Sequence, residues 1–465
     1  MHPHKSIFYF LFFIASFGVL SVIFTGCAQI GAPTGGPKDS IPPVLIKAIP
    51  EMKTTNFNGN RIVFEFDEYV DVKDVQSNLQ VSPYQRNMPS VDYKLKTVTV
   101  KFKDTLLPNT TYFLDFGKAI VDNNEGNALQ NFNYVFSTGS NIDSLTLKGK
   151  VILAETGKAD STLLVLLYRN AVDSTVQTKK PNYITKLSGD GTFIFKYMPN
   201  ESFNIYALLD GDGSKTYNAT TETFAFIDTK VTPGTANDIV LHAYAQEKEI
   251  EKKKPTPVKQ TSQEKKLKYT NSLSGGPHDL LLPVELTFPT ALKHADLTKI
   301  LLTDTAYSPI SGASVTIDST QKIITIANRW KEESLYKLIV PKEAIADSLG
   351  LQLAKSDTLQ FITKRKADYG KLVLKFPKYK ADQHVVIQLV KENKIYRSIS
   401  VTGKQWSDDM FPPGEYDVRI LYDANNNGIW DPGNYMKKQQ PEIVTAFDKK
   451  LAIKANWDTE RDIEF

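Results

Sequence analysis

One cysteine, Cys27, occurs in 465 residues. Without a second thiol the chain cannot close an internal disulfide. Histidine is also scarce: His2, His4, His242, His278, His294 and His384 stand apart from one another. The sequence has no HExxH, no paired Cys and no Gly-x-Ser-x-Gly, so zinc chemistry and a nucleophile elbow lack their ingredients. The glycine pairs Gly35-Gly36 and Gly275-Gly276 do not open a helix, which makes them hinges rather than phosphate cradles. Neither charge dominates. The 56 basic and 52 acidic residues give +4 and are interleaved, so no global field draws the chain to nucleic acid. Long amphipathic helices are missing as well.

The N-terminus is where the chain is most biased. His2, His4 and Lys5 precede an apolar run from Ile7 to Phe24, then Thr25, Gly26 and Cys27. A weakly basic head, an apolar stretch and small residues make a secretory signal. The run also approaches the roughly 20 residues of a membrane-crossing helix, so an uncleaved span is the alternative. The Gly-Cys ending resembles a bacterial lipoprotein signal. That resemblance implies a signal peptide over residues 1–26, with Cys27 thioether-linked to a diacylglycerol and anchoring the chain to the outer membrane, on a face left open. Several acyl chains, at about 0.8 kcal/mol per buried CH₂, would hold it there permanently. Residues 27–43, rich in Gly and Pro, then form a tether.

From Val44 onward, short alternating runs such as "RIVFEFDEYV", "KTVTVKF" and "TYFLDF" lie between Asn, Asp, Gly and Pro clusters. This spacing predicts an all-β chain of antiparallel sandwiches. The runs also repeat. "TYFLDFGKAIVDNNEGNALQNFNYVFSTG" aligns with "LYKLIVPKEAIADSLGLQLAKSDTLQFITK", matching Tyr112 with Tyr336, Asp122 with Asp347, Gly126 with Gly350 and Thr138 with Thr363. "GKVIL" from Gly149 matches "GKLVL" from Gly370, and "MPNESFNIYALLD" matches "FPPGEYDVRILYD". A two-domain unit is thus written twice, A-B-A′-B′: A over 44–139, B over 143–245, A′ over 268–364 and B′ over 368–465. Residues 246–267 carry both charges, two prolines and almost nothing apolar, as a solvated linker should. Its "EKKKPTPVK" core has no aromatics for base stacking, and nucleic acid is not expected as a partner.

Domain A carries Phe66, Asp67, Glu68 and Val70, then Pro108, Thr110 and Tyr112, then Asp122, Gly126, Asn127 and Leu129. These residues resemble the bacterial Ig-like domain of the SbsA type; A′ resembles it more weakly, with Leu351 in place of the turn asparagine. B and B′ resemble the transthyretin-like or carboxypeptidase-regulatory sandwich, and "SGDGTFIFKYMP" in B resembles its hairpin. The signal, tether and Ig-like domain together resemble envelope lipoproteins of the Bacteroidetes. The resemblance implies an architecture and a location but no reaction.

The strongest candidate site is "DANNNGIWDPGN" in B′. Asp423, Asn425, Asn427, Gly428 and Asp431 stand at positions 1, 3, 5, 6 and 9 of an EF-hand-like loop, which would offer alternating oxygens to Ca²⁺. Asn434 replaces the carboxylate at position 12, which would weaken such a site. The alternative is a polar turn whose Asn and Asp side chains bond their own backbone. In B the aligned loop keeps Asp210, Asp212 and Ser214 but lacks the later acid, a weaker candidate. Adjacent Asp67 and Glu68 would point to opposite faces of a strand and so could not share a substrate. Trp330 and Trp430 would either stack on sugars or close the ends of sandwiches.

No cofactor is required, calcium being the one candidate. The reading is of a lipid-anchored, non-enzymatic envelope protein that binds or scaffolds other envelope proteins. The alternatives are a carbohydrate-binding surface lipoprotein and an enzyme with an unrecognised site.

Overall fold

The computed structural model describes residues 38–169, 172, 174–235, 239–247 and 266–465. Cys27, the signal, most of the tether and most of the charged linker lie outside the described residues. What is described is nearly all β, with helical segments of four residues at most. It divides into two compact units, one ending at Ile142 and the other spanning Asp143–Phe465.

In the first unit, strands Leu45–Ile49, Arg61–Phe66, Thr97–Lys101 and Ser90–Lys94 form an antiparallel sheet in that order. A second sheet holds Gln80–Ser82, Thr111–Asp115 and Asn133–Ser137, and Val70–Val72 pairs with Ile120–Asp122. Period-2 alternation decides which side chains turn inward. Ile62, Phe64 and Phe66 are buried whereas Arg61 and Glu65 are exposed. Val98 and Val100 of one sheet and Tyr112, Leu114, Tyr134 and Phe136 of the other complete the core with them. The Phe64 ring meets Phe132 and Tyr134 edge-on at 5.2 and 5.1 Å, an arrangement that suits the ring quadrupoles.

Two polar devices fasten this sandwich. The Leu107 N–H donates to Tyr112 Oη at 2.7 Å, and Thr138 Oγ1 donates to the Leu107 carbonyl at 2.7 Å while accepting from Thr110 N–H at 3.0 Å. Asp122, 2% exposed, accepts the N–H groups of Asn124, Glu125 and Gly126 on one oxygen and that of Asn127 on the other. Burial acts to raise the Asp122 pKa, but the four donors outweigh it and hold the carboxyl below its ordinary value.

In the second unit, residues 268–364 reproduce the layout. One sheet orders Thr270–Asn271, Val284–Thr287, Ile323–Ala327 and Ser314–Ile317; the other orders Leu301–Thr303, Leu335–Val340 and Asp357–Ile362. The fastenings recur at the aligned residues: Lys331 N–H donates to Tyr336 Oη at 3.2 Å, Ser334 N–H to Thr363 Oγ1 at 2.9 Å, and Leu349 and Leu351 N–H to Asp347. The matched Tyr, Asp and Thr of the sequence repeat therefore make the same two fastenings in both sandwiches.

Residues 143–245 and 368–465 share a second topology. Thr192–Met198, Leu145–Leu153 and Ile239–Ala243 form a three-stranded sheet whose last pair is parallel. Gln405–Phe411, Gly370–Lys375 and Asp458–Asp462 do the same. The opposing sheets are Tyr183–Lys186, Leu164–Arg169, Phe203–Leu208 and Phe224–Phe226 in one, and Lys394–Ser400, Val385–Lys391, Gly414–Tyr422 and Ile443–Ala446 in the other. The sheets of 143–245 and those of 368–465 thus follow matching strand orders.

Within the second unit the modules are joined rather than strung. The buried Tyr369 donates its hydroxyl to Asp279 at 2.7 Å and accepts the Leu280 N–H at 2.7 Å, tying 268–364 to 368–465. A larger junction joins 143–245 to 368–465, and the Asn-rich loop lies at its centre.

Candidate functional site

The loop of residues 423–434 leaves the inner strand Gly414–Tyr422 at Asp423, which is 2% exposed. Asp423 accepts Asn427 N–H at 3.1 Å on one oxygen and Gly428 N–H at 2.8 Å on the other. Gly428 sits at φ +81, a conformation glycine adopts without strain. Asn425 and Asn427 donate their amide N–H groups to one oxygen of Asp431, at 2.6 and 2.7 Å. Their own carbonyl oxygens accept Asn427 and Ile429 N–H. The four residues expected to ligate calcium therefore converge, but the oxygens they would offer already accept hydrogen bonds from within the loop.

Glu442, invisible to the motif because it lies beyond the twelve-residue window, braces the loop from outside. Its carboxylate accepts Ala424 N–H at 2.8 Å and Asp431 N–H at 3.1 Å. Among the described residues no group of three or more His, Cys, Asp or Glu is placed to hold a metal ion. Calcium entry would require Asn425 and Asn427 to turn their carboxamides and Asp431 to give up two donors. Accordingly, millimolar Ca²⁺ is expected to raise the melting temperature by no more than about 1 °C over EDTA, since a site half filled at that concentration adds only about 0.4 kcal/mol. A calcium-specific rise of several degrees, absent with Mg²⁺, would reject this self-satisfied turn.

The weaker candidate is arranged differently. Asp210 accepts Lys215 N–H at 2.8 Å and forms an ion pair with the Lys215 ammonium, so the cation it faces belongs to the chain. Asp212 accepts Ser214 N–H at 2.8 Å and the Asn218 amide at 2.7 Å, and these donors push its carboxyl down to about 2.

What the Asn-rich loop does build is a junction. Tyr435, 1% exposed, leaves the end of the loop and enters an aromatic cluster on the outer face of the 143–245 sandwich. Its ring lies 5.1 Å from both Phe224 and Phe226 and 6.0 Å from Tyr206, all steeply inclined. Tyr217 stacks on Phe224 at 4.1 Å behind it. Trp430 donates its indole N–H to the Glu442 carbonyl at 2.7 Å and packs its ring against this cluster and against Val386, Leu421 and Val444. Val444 N–H donates to the Ala154 carbonyl at 2.9 Å, and Lys158 pairs with Asp417 at 3.3 Å. Gly157 and Gly433 permit the close approach. A Cβ on Gly157 would lie 2.5 Å from Ala446 N, and one on Gly433 would lie 2.6 Å from the Tyr244 ring.

The remaining sequence candidates are structural in placement. Trp330 donates to the Leu282 carbonyl at 2.9 Å and meets His278, Tyr336 and Phe361 edge-on, closing one end of its sandwich. Asp67 and Glu68 are not on a strand: the strand ends at Phe66, and the pair occupies the bend after it. Asp67 Oδ1 accepts Val44 N–H at 2.8 Å, which fixes the bend. Burial, then the charges of Asp122, Asp67, Asp39 and Glu125, raise the Glu68 pKa. His242 and His278 are held below their ordinary pKa by burial, in separate modules.

Residues 39–138 match the family model described as a bacterial Ig-like domain. No curated protein matches the chain. Among solved structures, it is similar to the Bacillus anthracis TIE protein at 11% identity, covering 93% of this chain and 76% of that one with a TM-score of 0.17. BcpA, the major pilin subunit of Bacillus cereus, aligns at 9% identity over 69% of this chain and 99% of its own, with a TM-score of 0.17. The N-terminal part of the bacterial S-layer protein SbsC aligns at 17% identity over 44% of each chain, with a TM-score of 0.16. Likeness at this level carries no argument about activity. No helix among the described residues is long and apolar enough to cross a membrane.

Proposed function

We propose that the chain is a non-enzymatic envelope component, anchored through lipid on Cys27 at the outer membrane, whose β-modules hold other envelope proteins in place. The observation that carries this reading is the interlocked second unit. Tyr435 and Tyr369 fasten three sandwiches into one body, so a force or a partner applied at one module is transmitted to the next. A scaffold needs that stiffness, whereas independent binding beads on flexible linkers do not. The first unit supplies edge strands, Leu45–Ile49 and Ser90–Lys94, on either side of its four-stranded sheet, and edges of this kind accept a partner's strand. The family match over residues 39–138 agrees with a surface role.

The anchor is tested by growing cells with a clickable fatty acid and fractionating them. The wild-type chain is expected to carry the label and sediment with membranes, while Cys27→Ser loses the label and is retained uncleaved or released. Equal labelling of both would remove the lipid from this account. Crosslinking followed by mass spectrometry tests the partner class; recovery of glycans alone, with no envelope protein, would overturn the scaffold.

A further inference from the structure

Beside the Asn-rich loop, at the end of strand Gly414–Tyr422, lies a pocket of about 620 Å³, within the roughly 300–1,000 Å³ of small-ligand sites. Its apolar wall is made by Tyr422 and Ile443, which stand opposite each other across an antiparallel strand pair and so share one face. Tyr422 keeps the inward parity of Tyr416, Val418 and Ile420. Those three are buried in the core, whereas Tyr422, at the strand's end, is 40% exposed, and Ile443 is exposed beside it. The sandwich therefore leaves an aromatic and an aliphatic side chain together in a hollow that it does not fill itself.

The polar lining narrows the ligand. No Lys, Arg or His lines the pocket, so nothing in it draws an anion. Its two acids are committed to the loop: Glu442 accepts Ala424 and Asp431 N–H, and Asp431 accepts the amides of Asn425 and Asn427. The carboxamides of Gln439 and Gln440 are what the rim presents. Gln440 donates one N–H to the Phe226 carbonyl at 3.2 Å, and Gln439, held by backbone bonds with Asn434 at 2.8 and 2.9 Å, turns an exposed side chain outward. A carboxamide donates and accepts at once, as a hydroxyl does. The matching ligand is uncharged, rich in hydroxyls and apolar on one face, which describes a sugar ring. A peptide would instead need a free strand edge, and that of Ile443–Ala446 is spent, because Glu442 N–H donates to the Asp431 carbonyl at 3.1 Å and Val444 N–H to the Ala154 carbonyl at 2.9 Å. We propose that this pocket binds a neutral saccharide, with a pyranose ring against Tyr422 and Ile443 and its hydroxyls on Gln439 and Gln440. The self-bonded turn then has a use, since it holds the rim in place before the ligand arrives. The site adds a ligand to the scaffold and is independent of lipid anchoring.

Calorimetric titration of the full chain in detergent tests this, with maltotriose, cellotriose, mannotriose and triacetylchitotriose as neutral probes and glucuronate and trilysine as charged ones. Saturable binding of at least one neutral trisaccharide is expected, with glucuronate and trilysine weaker by about tenfold or more. Tyr422→Ala should weaken that binding by about tenfold, since the ring is lost, whereas Tyr422→Phe keeps the ring and should retain it. Gln439→Ala alters an exposed side chain, so it should melt as the wild type does and still bind about three- to tenfold more weakly, which keeps the test independent of the part Tyr422 plays in its strand pair. Absence of neutral-saccharide binding to the wild type, unchanged binding in both Tyr422→Ala and Gln439→Ala, or trilysine or glucuronate bound as tightly as the best saccharide would each overturn the proposal.

Discussion

Replacing Tyr435 with alanine is expected to uncouple the sandwiches 143–245 and 368–465 and to turn one cooperative melt of the second unit into two. The ring is 1% exposed and surrounded by Tyr206, Tyr217, Phe224 and Phe226, so truncation removes a large aromatic from a closed site and leaves a void or an open seam. Removing a buried aromatic of this size costs about 3–5 kcal/mol. For a body this large that corresponds to a fall of roughly 10 °C in the first transition. Tyr435→Phe keeps the ring and loses only the hydroxyl, which donates to Tyr206 at 3.4 Å, and should cost far less than Tyr435→Ala. Calorimetry with Trp430 fluorescence as a local reporter reads both effects. A single unshifted transition in Tyr435→Ala would show that the modules are held elsewhere, and the scaffold reading would lose its main support.

Much of this architecture is legible in the residues alone. The strands and their alternation can be read because period-2 patterning is a local property of the chain. In "RIVFEF" the inward set Ile62, Phe64 and Phe66 follows directly from alternation. Alternation does not report where a strand ends, and Asp67-Glu68 read as its continuation until the Val44 contact is seen to turn the chain. Nor does it say whether an outward face meets water or another module. Leu421, Val386 and Val444 lie on the outer face of one sandwich and are buried, because Trp430 and the neighbouring sandwich cover them. The spacing of Asp423, Asn425, Asn427 and Asp431 singles out a structured loop. Spacing cannot show that Glu442 braces it or that Tyr435 is what it presents, since both lie past the motif and act through contacts between modules.

Valine at Gly149 or at Gly370 is expected to be as damaging as the loss of Tyr435, for a reason the repeat makes visible. Both glycines lie on the strand that pairs in parallel with the last strand of its sandwich. At Gly149 an added Cβ would lie 2.5 Å from the Ile239 carbonyl oxygen and 2.6 Å from the Phe193 ring; at Gly370 it would lie 2.5 Å from the Lys454 carbonyl oxygen. These distances are below any real Cβ contact, and backbone oxygens, that of Ile239 in the paired strand and that of Lys454 in the turn before Asp458–Asp462, cannot retreat as a side chain can. Overpacking of this kind typically costs about 1–3 kcal/mol when side chains can yield, and more when backbone must move. Gly149→Val should therefore lower the melting transition of 143–245 by at least as much as Tyr435→Ala lowers the first transition, and Gly370→Val that of 368–465. Gly189→Val and Gly403→Val are the internal controls, because a Cβ at either glycine meets nothing within 4 Å. If all four variants melted alike, tight packing at the parallel pair would not be why glycine begins both "GKVIL" and "GKLVL", and the equivalence of the two modules would rest on strand order alone.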